Sequence, residues 1–254
     1  MELFVKKDSI VREIWGKSDT VLFIFGGASA EFALNKAVDW LYFTGKLPSD
    51  PLGRLFSTVK YAKYIVFSSM DDANKSIDTL RQIHGKVEQN RGMSIPDWAY
   101  RDVLFMLIHY SIASYELLER KLSDDEKEEV YNVFYRVGKR MGLKELQITY
   151  TEWLPVRKEH LKENLMASKY TFDLFKQYKK HLGLVRYSVL IEAQKLVVPK
   201  HVKKLLYLND FSLLTIAIPI YKFSRQMKTD GFLKNMLLPS EYKSEINELD
   251  VHIA

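Results

Sequence analysis

Apolar residues recur along much of the chain at steps of three and four, the spacing that places side chains on one face of an α-helix. The clearest stripe is formed by Ala73, Ile77, Leu80, Ile83 and Val87. Ser69 precedes this stripe and Asp72 follows it by three residues, which resembles a capping box and predicts the start of a helix. This spacing, rather than the strict alternation of apolar and polar residues that marks a half-buried strand, is the main pattern of the chain.

The other helical segments are separated by short breaks. Ser123 and Glu126 form a capping box, and Gly142 is expected to end the helix that they begin. We predict helices over about 20–41, 52–68, 69–87, 97–121, 123–142, 151–181, 184–197, 200–208 and 211–228, with a loop over 88–96 between the third and the fourth. Asp50 or Ser49 is expected to cap the second, and Gly183 to break the chain after the sixth. The pattern therefore predicts one all-α, multi-helix domain over residues 1–254, with a frayed or extended tail at about 232–254.

Composition supports helices and removes several kinds of metal site. Only 11 Gly and 7 Pro occur in 254 residues, too few for the many turns of a β-sandwich or barrel. The chain has no Cys, which excludes thiolate-ligated haem, Fe–S clusters and Cys-ligated zinc. A metal would have to be held by the six His or by carboxylates.

Charge and hydropathy point to an ordinary globular protein. The net charge of +6 is mild for this length and does not argue for nucleic acid. The longest apolar runs, 21–30, 103–108 and 211–220, fall short of the roughly 20 residues that span a bilayer. The first residues carry charges throughout and lack the apolar core of a signal peptide. We therefore expect a soluble protein, in the cytoplasm.

Several familiar active-site motifs do not occur. The chain has neither GxxxxGK[ST] nor GxGxxG, the phosphate- and dinucleotide-binding signatures. It has no GxSxG nucleophile turn, no HxxxH pair for zinc, and no ExxH pair for a di-iron bundle. The Gly26-Gly27 step in an apolar helix is better explained by close helix packing than by a catalytic turn.

His84 is the most informative single residue. It lies one turn after Leu80 on the apolar stripe, and Arg81 is expected to share that face. A buried cation beside a histidine needs an anionic or polar partner. Either His84 is a hydrogen-bonded core residue with Arg81 paired to a carboxylate, or His84 is a ligand that faces an anionic cofactor.

Two further candidates carry the same ambiguity. His109 lies in another apolar helix and is either a second site histidine or a satisfied core residue. Arg54 and Thr58 are four residues apart, so they share a helical face. That pair forms either a solvated surface with a local hydrogen bond or a polar wall beside a ligand.

The order of these segments resembles the MpaB-type oxygenase family, which includes the latex-clearing proteins. The family pattern Asp-Pro-x-x-Arg-Leu-x-x-Thr is similar to residues 50–58, and Arg-x-x-His-x-x-Val is similar to residues 81–87. A histidine in an apolar helix followed by small residues corresponds to 108–111, and an acidic helix start leading to Arg-x-Gly corresponds to 122–143. The resemblance covers about residues 15–210.

The resemblance implies a haem-b protein of partly globin-like architecture. His84 would be the axial ligand of the iron, and His109 the second histidine for the cofactor. Arg81 would lie near the haem propionates or support His84. Arg54 and Thr58 would lie at the haem pocket and serve catalysis.

The chain departs from the family pattern at several positions. Latex-clearing proteins have a lysine just before the threonine, where this chain has Ser57; Lys60 or Lys63 could take its place. A family His-Pro pair corresponds to Lys36-Ala37. The candidates for the family's acidic catalytic base are Glu31 and Asp39.

The resemblance implies a haem-dependent oxygenase that uses dioxygen to cleave a C=C bond of a hydrophobic, isoprenoid-like substrate. Basic and aromatic residues could guide such a substrate from a membrane surface, so a peripheral membrane contact stays open. One alternative is a non-enzymatic protein that binds haem or another hydrophobic ligand. The other is a metal-free helical module for interaction or lipid binding.

Overall fold

Helices account for nearly all of the regular structure. The computed structural model of the protein describes residues 2–43, 45 and 49–226, apart from the side chains of Leu41, Arg54, Leu55, Phe56, Arg225 and Gln226. The helices within these residues are α1 (Ile10–Trp15), α2 (Ser18–Leu34), α3 (Asp39–Phe43), α4 (Pro51–Phe67), α5 (Met70–Arg91), α6 (Asp97–Leu118), α7 (Asp124–Met141), α8 (Tyr150–Glu163), α9 (Lys169–Val197), α10 (Lys200–Leu205) and α11 (Leu214–Gln226). No strand occurs among them, and the predicted all-α class is confirmed. The globin-like detail stays a prediction, and the predicted tail at 232–254 lies outside the described residues.

Helix ends with strong local signals fall where the sequence predicts them. The Ser69 hydroxyl accepts a hydrogen bond from the backbone N–H of Asp72 at 3.2 Å and so begins α5. Ser123 and Glu126 form the predicted capping box of α7, and Gly142 ends α7 with a left-handed φ of 85°. Asp50 caps α4 by accepting from the backbone N–H of Gly53 at 2.8 Å. Each of these signals acts within one turn of helix.

The predicted helix over 151–181 is wrong at its start and in its middle. Thr149, not Thr151, caps α8, because Glu152 lies three residues after it and completes a capping box. The helix then stops at Glu163. The next helix, α9, starts at Lys169, and the predicted break at Gly183 is confirmed: this residue has non-helical angles, φ 70° and ψ 173°, so two helical segments meet there at a kink.

One tertiary contact ends both α2 and α8. Asn35 and Leu165 form an isolated bridge, and the backbone N–H of Met166 donates to the carbonyl of Leu34 at 2.8 Å. Lys36 donates in turn to the carbonyl of Asn164 at 2.9 Å. Backbone groups that would continue the two helices are therefore satisfied by the opposite segment, which local sequence does not reveal.

The core forms around α2. This helix is buried on almost every side, with Ile24, Ala30 and Leu34 fully inaccessible to solvent, as expected for a helix that is apolar all round. It packs lengthwise against α6 on one side and α9 on another, while α4, α5 and α7 complete the bundle. Gly27 lies against the ring of Tyr110, so close helix packing accounts for this glycine of the Gly26-Gly27 step.

Candidate functional site

A cavity of about 570 Å³ lies between α2, α4, α5, α6 and α7, and α3 and α9 also contribute lining side chains. Its wall is mostly apolar and aromatic, with Phe25, Ile65 and Leu104 among the lining side chains. The polar side chains that reach it carry hydroxyl, amide and imidazole groups: Ser29, Asn35, Ser57, Thr58, Tyr61, His84, Asn90, Tyr100 and Tyr178. None of the described side chains that line it belongs to Asp, Glu, Lys or Arg. A cavity of this size and lining suits a hydrophobic organic ligand.

His84 reaches the cavity from α5, on the predicted apolar stripe. It is partly buried, and it is the one imidazole among the described lining residues. Its ring meets the ring of Tyr100 edge-on, with centroids 5.1 Å apart. This contact holds the plane of the imidazole from the α6 side.

Tyr100 is itself fixed by a carboxylate. Its hydroxyl donates to Oε1 of Glu88 at 3.2 Å, and the same oxygen accepts from the backbone N–H of Ile95 at 2.8 Å. Burial, together with the negative charge of Glu88, raises the pKa of Tyr100 well above its usual value. The phenol therefore stays protonated as a donor, and its hydrogen bond to Glu88 anchors the ring that packs against His84.

Two of the predicted residues meet at the cavity. Thr58 lines it from α4 and His84 from α5, and Ser57 lines it from the position before Thr58. Arg54 lies one turn earlier on α4, but its side chain is outside the described residues. Lys60 and Lys63 do not line the cavity, and the Lys63 ammonium lies 6.0 Å from the ring centre of Phe67 instead.

The expectation that Arg81 shares the buried face of α5 is wrong. Arg81 is exposed, and its guanidinium lies beside Gly142 at the end of α7. A residue three positions before His84 is rotated by about 60° around the helix, which is enough to bring it to solvent. No buried cation therefore accompanies His84 on this helix.

His109 lies elsewhere. It is not among the residues that line the cavity, and its ring packs edge-on against Tyr110 at 5.0 Å. The buried Nε2 atom has no hydrogen-bond partner. Burial and the nearby charge of Arg157 lower the pKa of His109 to about 4, so this imidazole is neutral at physiological pH.

The charged neighbours of His109 form a buried cluster that the sequence pattern does not disclose. Both carboxylate oxygens of Glu31 accept from the guanidinium of Arg157, at 2.5 and 2.6 Å, and Tyr110 donates to Oε2 at 2.8 Å. Burial would lower the pKa of Arg157, but the carboxylate of Glu31 raises it above its usual value. Glu31 is thus a structural counter-ion away from the cavity.

Asp39, the other candidate acid, is also paired. Its carboxylate accepts from Arg91 at 2.7 Å, and the Arg91 guanidinium stacks 4.0 Å from the ring centre of Trp40. Trp40 lines the cavity, but Asp39 does not. The Asp39–Arg91 ion pair therefore lies outside the cavity and packs against Trp40, a residue of its wall.

A second buried cluster reaches the cavity through Asn35. Asp102 accepts from Asn35 at 2.7 Å and from Asn164 at 3.1 Å, and it lies 2.6 Å from Nδ1 of His160. Asp102 is 2% exposed. A carboxylate directly before the apolar run 103–108 was the only sequence signal for it, because its partners lie far away along the chain.

Other arrangements do not occur among the described residues. They contain no group of three or more His, Asp or Glu side chains that could hold a bare metal ion. None of their helices is long and apolar enough to cross a membrane.

The fold and the cavity define an all-α protein with an internal, mostly apolar cavity. The family model for the ER-bound oxygenase mpaB/B'/rubber oxygenase catalytic domain matches residues 15–197, which run from the end of α1 to the end of α9. The chain belongs to this family, and its domain is of the oxygenase class. No curated protein and no solved structure matches the chain.

Proposed function

We propose that the protein is a haem-b-dependent oxygenase that cleaves a C=C bond of a hydrophobic, isoprenoid-like substrate with dioxygen. The observation that carries the proposal is the position of His84, a single, oriented imidazole in the wall of an apolar cavity. Membership of an oxygenase family supports the reaction class.

The residues present fit haem b. Histidine is a common axial ligand of haem iron, and a chain without Cys can offer no thiolate. The lining side chains are apolar or neutral, which suits the porphyrin face. The contact with Tyr100 restrains the ring of His84, and restraint of a ligand histidine is a usual feature of metal sites.

Each predicted residue then has a defined task. His84 holds the cofactor, which when bound supplies the iron that activates dioxygen. Thr58 and Ser57 give the cavity hydroxyl groups on the α4 side, where Arg54 also belongs. Exposed Arg81 would serve propionate groups at the rim rather than in the interior.

The apolar wall serves the substrate. Side chains such as Phe25 and Leu104 would exclude water and hold an isoprenoid chain by burial of its methyl and methylene groups. Since Glu31 and Asp39 are both ion-paired away from the cavity, neither is assigned as a base. A protein that binds a hydrophobic ligand without turnover would share this wall, so activity has to be tested separately.

The test is haem retention in matched histidine variants. His84→Ala should lose the Soret absorbance after haem reconstitution and gel filtration, because the axial ligand is gone. His109→Ala should retain most of the Soret absorbance, because His109 lies outside the cavity. Equal haem content in the wild type and His84→Ala would refute the axial assignment.

Activity then separates the enzyme from a binding protein. The reduced, haem-loaded wild type should consume dioxygen in the presence of squalene and release carbonyl products, and His84→Ala should not. A wild type that binds haem and CO but consumes no dioxygen with any isoprenoid would favour haem sensing, storage or transport. Absence of a Soret band after reconstitution would favour the metal-free helical module.

A further inference from the structure

A row of exposed apolar side chains follows the part of the chain that the family model matches. Leu213, Ile216, Ile220 and Phe223, here called the α11 apolar face, are spaced by three, four and three residues. They therefore lie along one side of α11 and of the residue before it. Each is between 63% and 66% exposed, and Phe211 just ahead of them is 60% exposed.

The other side of α11 is attached to the body of the protein. The Tyr221 hydroxyl donates to Asp19 at the start of α2 at 3.0 Å, and Lys222 donates to the backbone carbonyl of Glu119 at 3.3 Å. The helix also packs against α9. Its orientation is thus determined by the core, and the α11 apolar face is directed away from it.

Several Lys and Arg residues lie in and just before α11, near this apolar face. Residues 199–226 contain five Lys or Arg and one acidic residue, Asp210. Lys203 lies 3.0 Å from Asp210, the residue before Phe211, so the basic last turn of α10 is placed beside the start of the apolar row. Lys200 and Lys204 on the same short helix are exposed.

We propose that the α11 apolar face and the basic α10 turn dock on an anionic lipid surface. A helix of 13 residues is about 20 Å long, shorter than the roughly 30 Å hydrocarbon core of a bilayer, so α11 would lie in the interface rather than cross it. Apolar residues on one side and flanking Lys are the usual composition of such helices. The proposal does not depend on haem or on turnover.

A second copy of the chain is a less suitable occupant. Two-fold pairing with the α11 helices parallel would bring the basic turn of α10 close to the same turn of its partner, which like-charge repulsion opposes; an antiparallel pairing would separate the two turns but offer their charge no acidic partner from this face. Acidic lipid headgroups instead complement that charge.

Vesicle co-sedimentation tests the proposal with the full chain. The wild type should bind phosphatidylcholine vesicles that contain about 30% phosphatidylserine, bind pure phosphatidylcholine vesicles much less, and be released at high salt. Ile216→Ser with Ile220→Ser should lower the partition coefficient at least about tenfold, because two apolar side chains no longer enter the interface. Lys200→Glu with Lys204→Glu should lower it by a similar factor.

Phe172→Ser provides the matched control. Phe172 is 65% exposed, and the neighbouring Thr171 bonds the carbonyl of Ala33, at the end of α2 opposite to Asp19. This variant should bind as the wild type does, and all variants should keep the wild-type circular dichroism. No binding of the wild type to anionic vesicles would overturn the proposal. Unchanged vesicle binding of the two double variants would also overturn it. So would a wild type that self-associates without binding vesicles, if Ile216→Ser with Ile220→Ser abolishes that self-association.

Discussion

At the scale of single residues, burial separates two histidines that look alike in the sequence. Both lie in apolar helices, but His84 lines the cavity and His109 lies beside the buried pair of Glu31 and Arg157. The sequence predicted both histidines as candidates. It could not show which residues surround each of them, because contacts such as that between Glu31 and Arg157 join residues 126 positions apart along the chain. The chemistry of each imidazole therefore depends on contacts between distant segments.

His109 makes stability depend on pH. Its pKa is about 4 in the folded protein against about 6.5 in the unfolded chain, so the unfolded state binds this proton first as the pH falls. We expect the free energy of unfolding to be unaffected by His109 above pH 7 and to fall by up to about 3 kcal/mol between pH 6.5 and pH 4. Urea unfolding at several pH values measures this change.

A His109→Gln variant is the control for that measurement, because glutamine does not titrate. Its free energy of unfolding should fall less steeply than that of the wild type over the same interval. Parallel pH profiles for the two proteins would show that the remaining carboxylates, and not His109, cause the loss.

At the scale of helices, some helix ends are determined by local capping residues and others by tertiary contacts. Caps at Ser69, Ser123 and Gly142 were predicted because all of their partners lie within one turn. The ends of α2 and α8 were not, since the bridge between Asn35 and Leu165 replaces the helical hydrogen bonds. A pairing across 130 residues leaves no local mark.

The contact between α2 and α6 offers a test with a built-in control. A Cβ atom at Gly27 would overlap the ring of Tyr110, which is fully buried and bonded to Glu31. Gly27→Ala should therefore cost about 2 kcal/mol or more of unfolding free energy. At Gly26 the nearest atom lies 3.8 Å away, so Gly26→Ala should be neutral or stabilise by up to about 1 kcal/mol through helix propensity. Urea unfolding of both variants decides the point, and equal destabilisation would contradict this packing.

At the scale of the whole molecule, the cavity is lined by side chains from seven helices that are separated along the chain. No segment shows it alone, because each contributes only a few lining side chains. An apolar space of about 570 Å³ inside a bundle should couple folding to ligand binding, since a ligand that enters it binds the folded state only.

Haem should therefore stabilise the protein. At free haem one hundred times its dissociation constant, linkage adds about 2.7 kcal/mol to the free energy of unfolding and raises the melting temperature. Thermal unfolding followed by circular dichroism, with and without haem, measures the shift. His109→Ala should show the wild-type increase and His84→Ala little or none; a wild type that haem leaves unchanged would count against a folded-state haem site.

The sequence by itself determined the all-α class, the helix ends with caps inside one turn, and the family, because these depend on residues close together or in a set order. Only the tertiary structure decided which polar residues meet. It exposed Arg81, buried Glu31 with Arg157 and Asp102 with Asn35, and left His84 at an apolar cavity. Periodicity gives the face of a helix but not the neighbour that covers it, and burial and pairing follow from that neighbour.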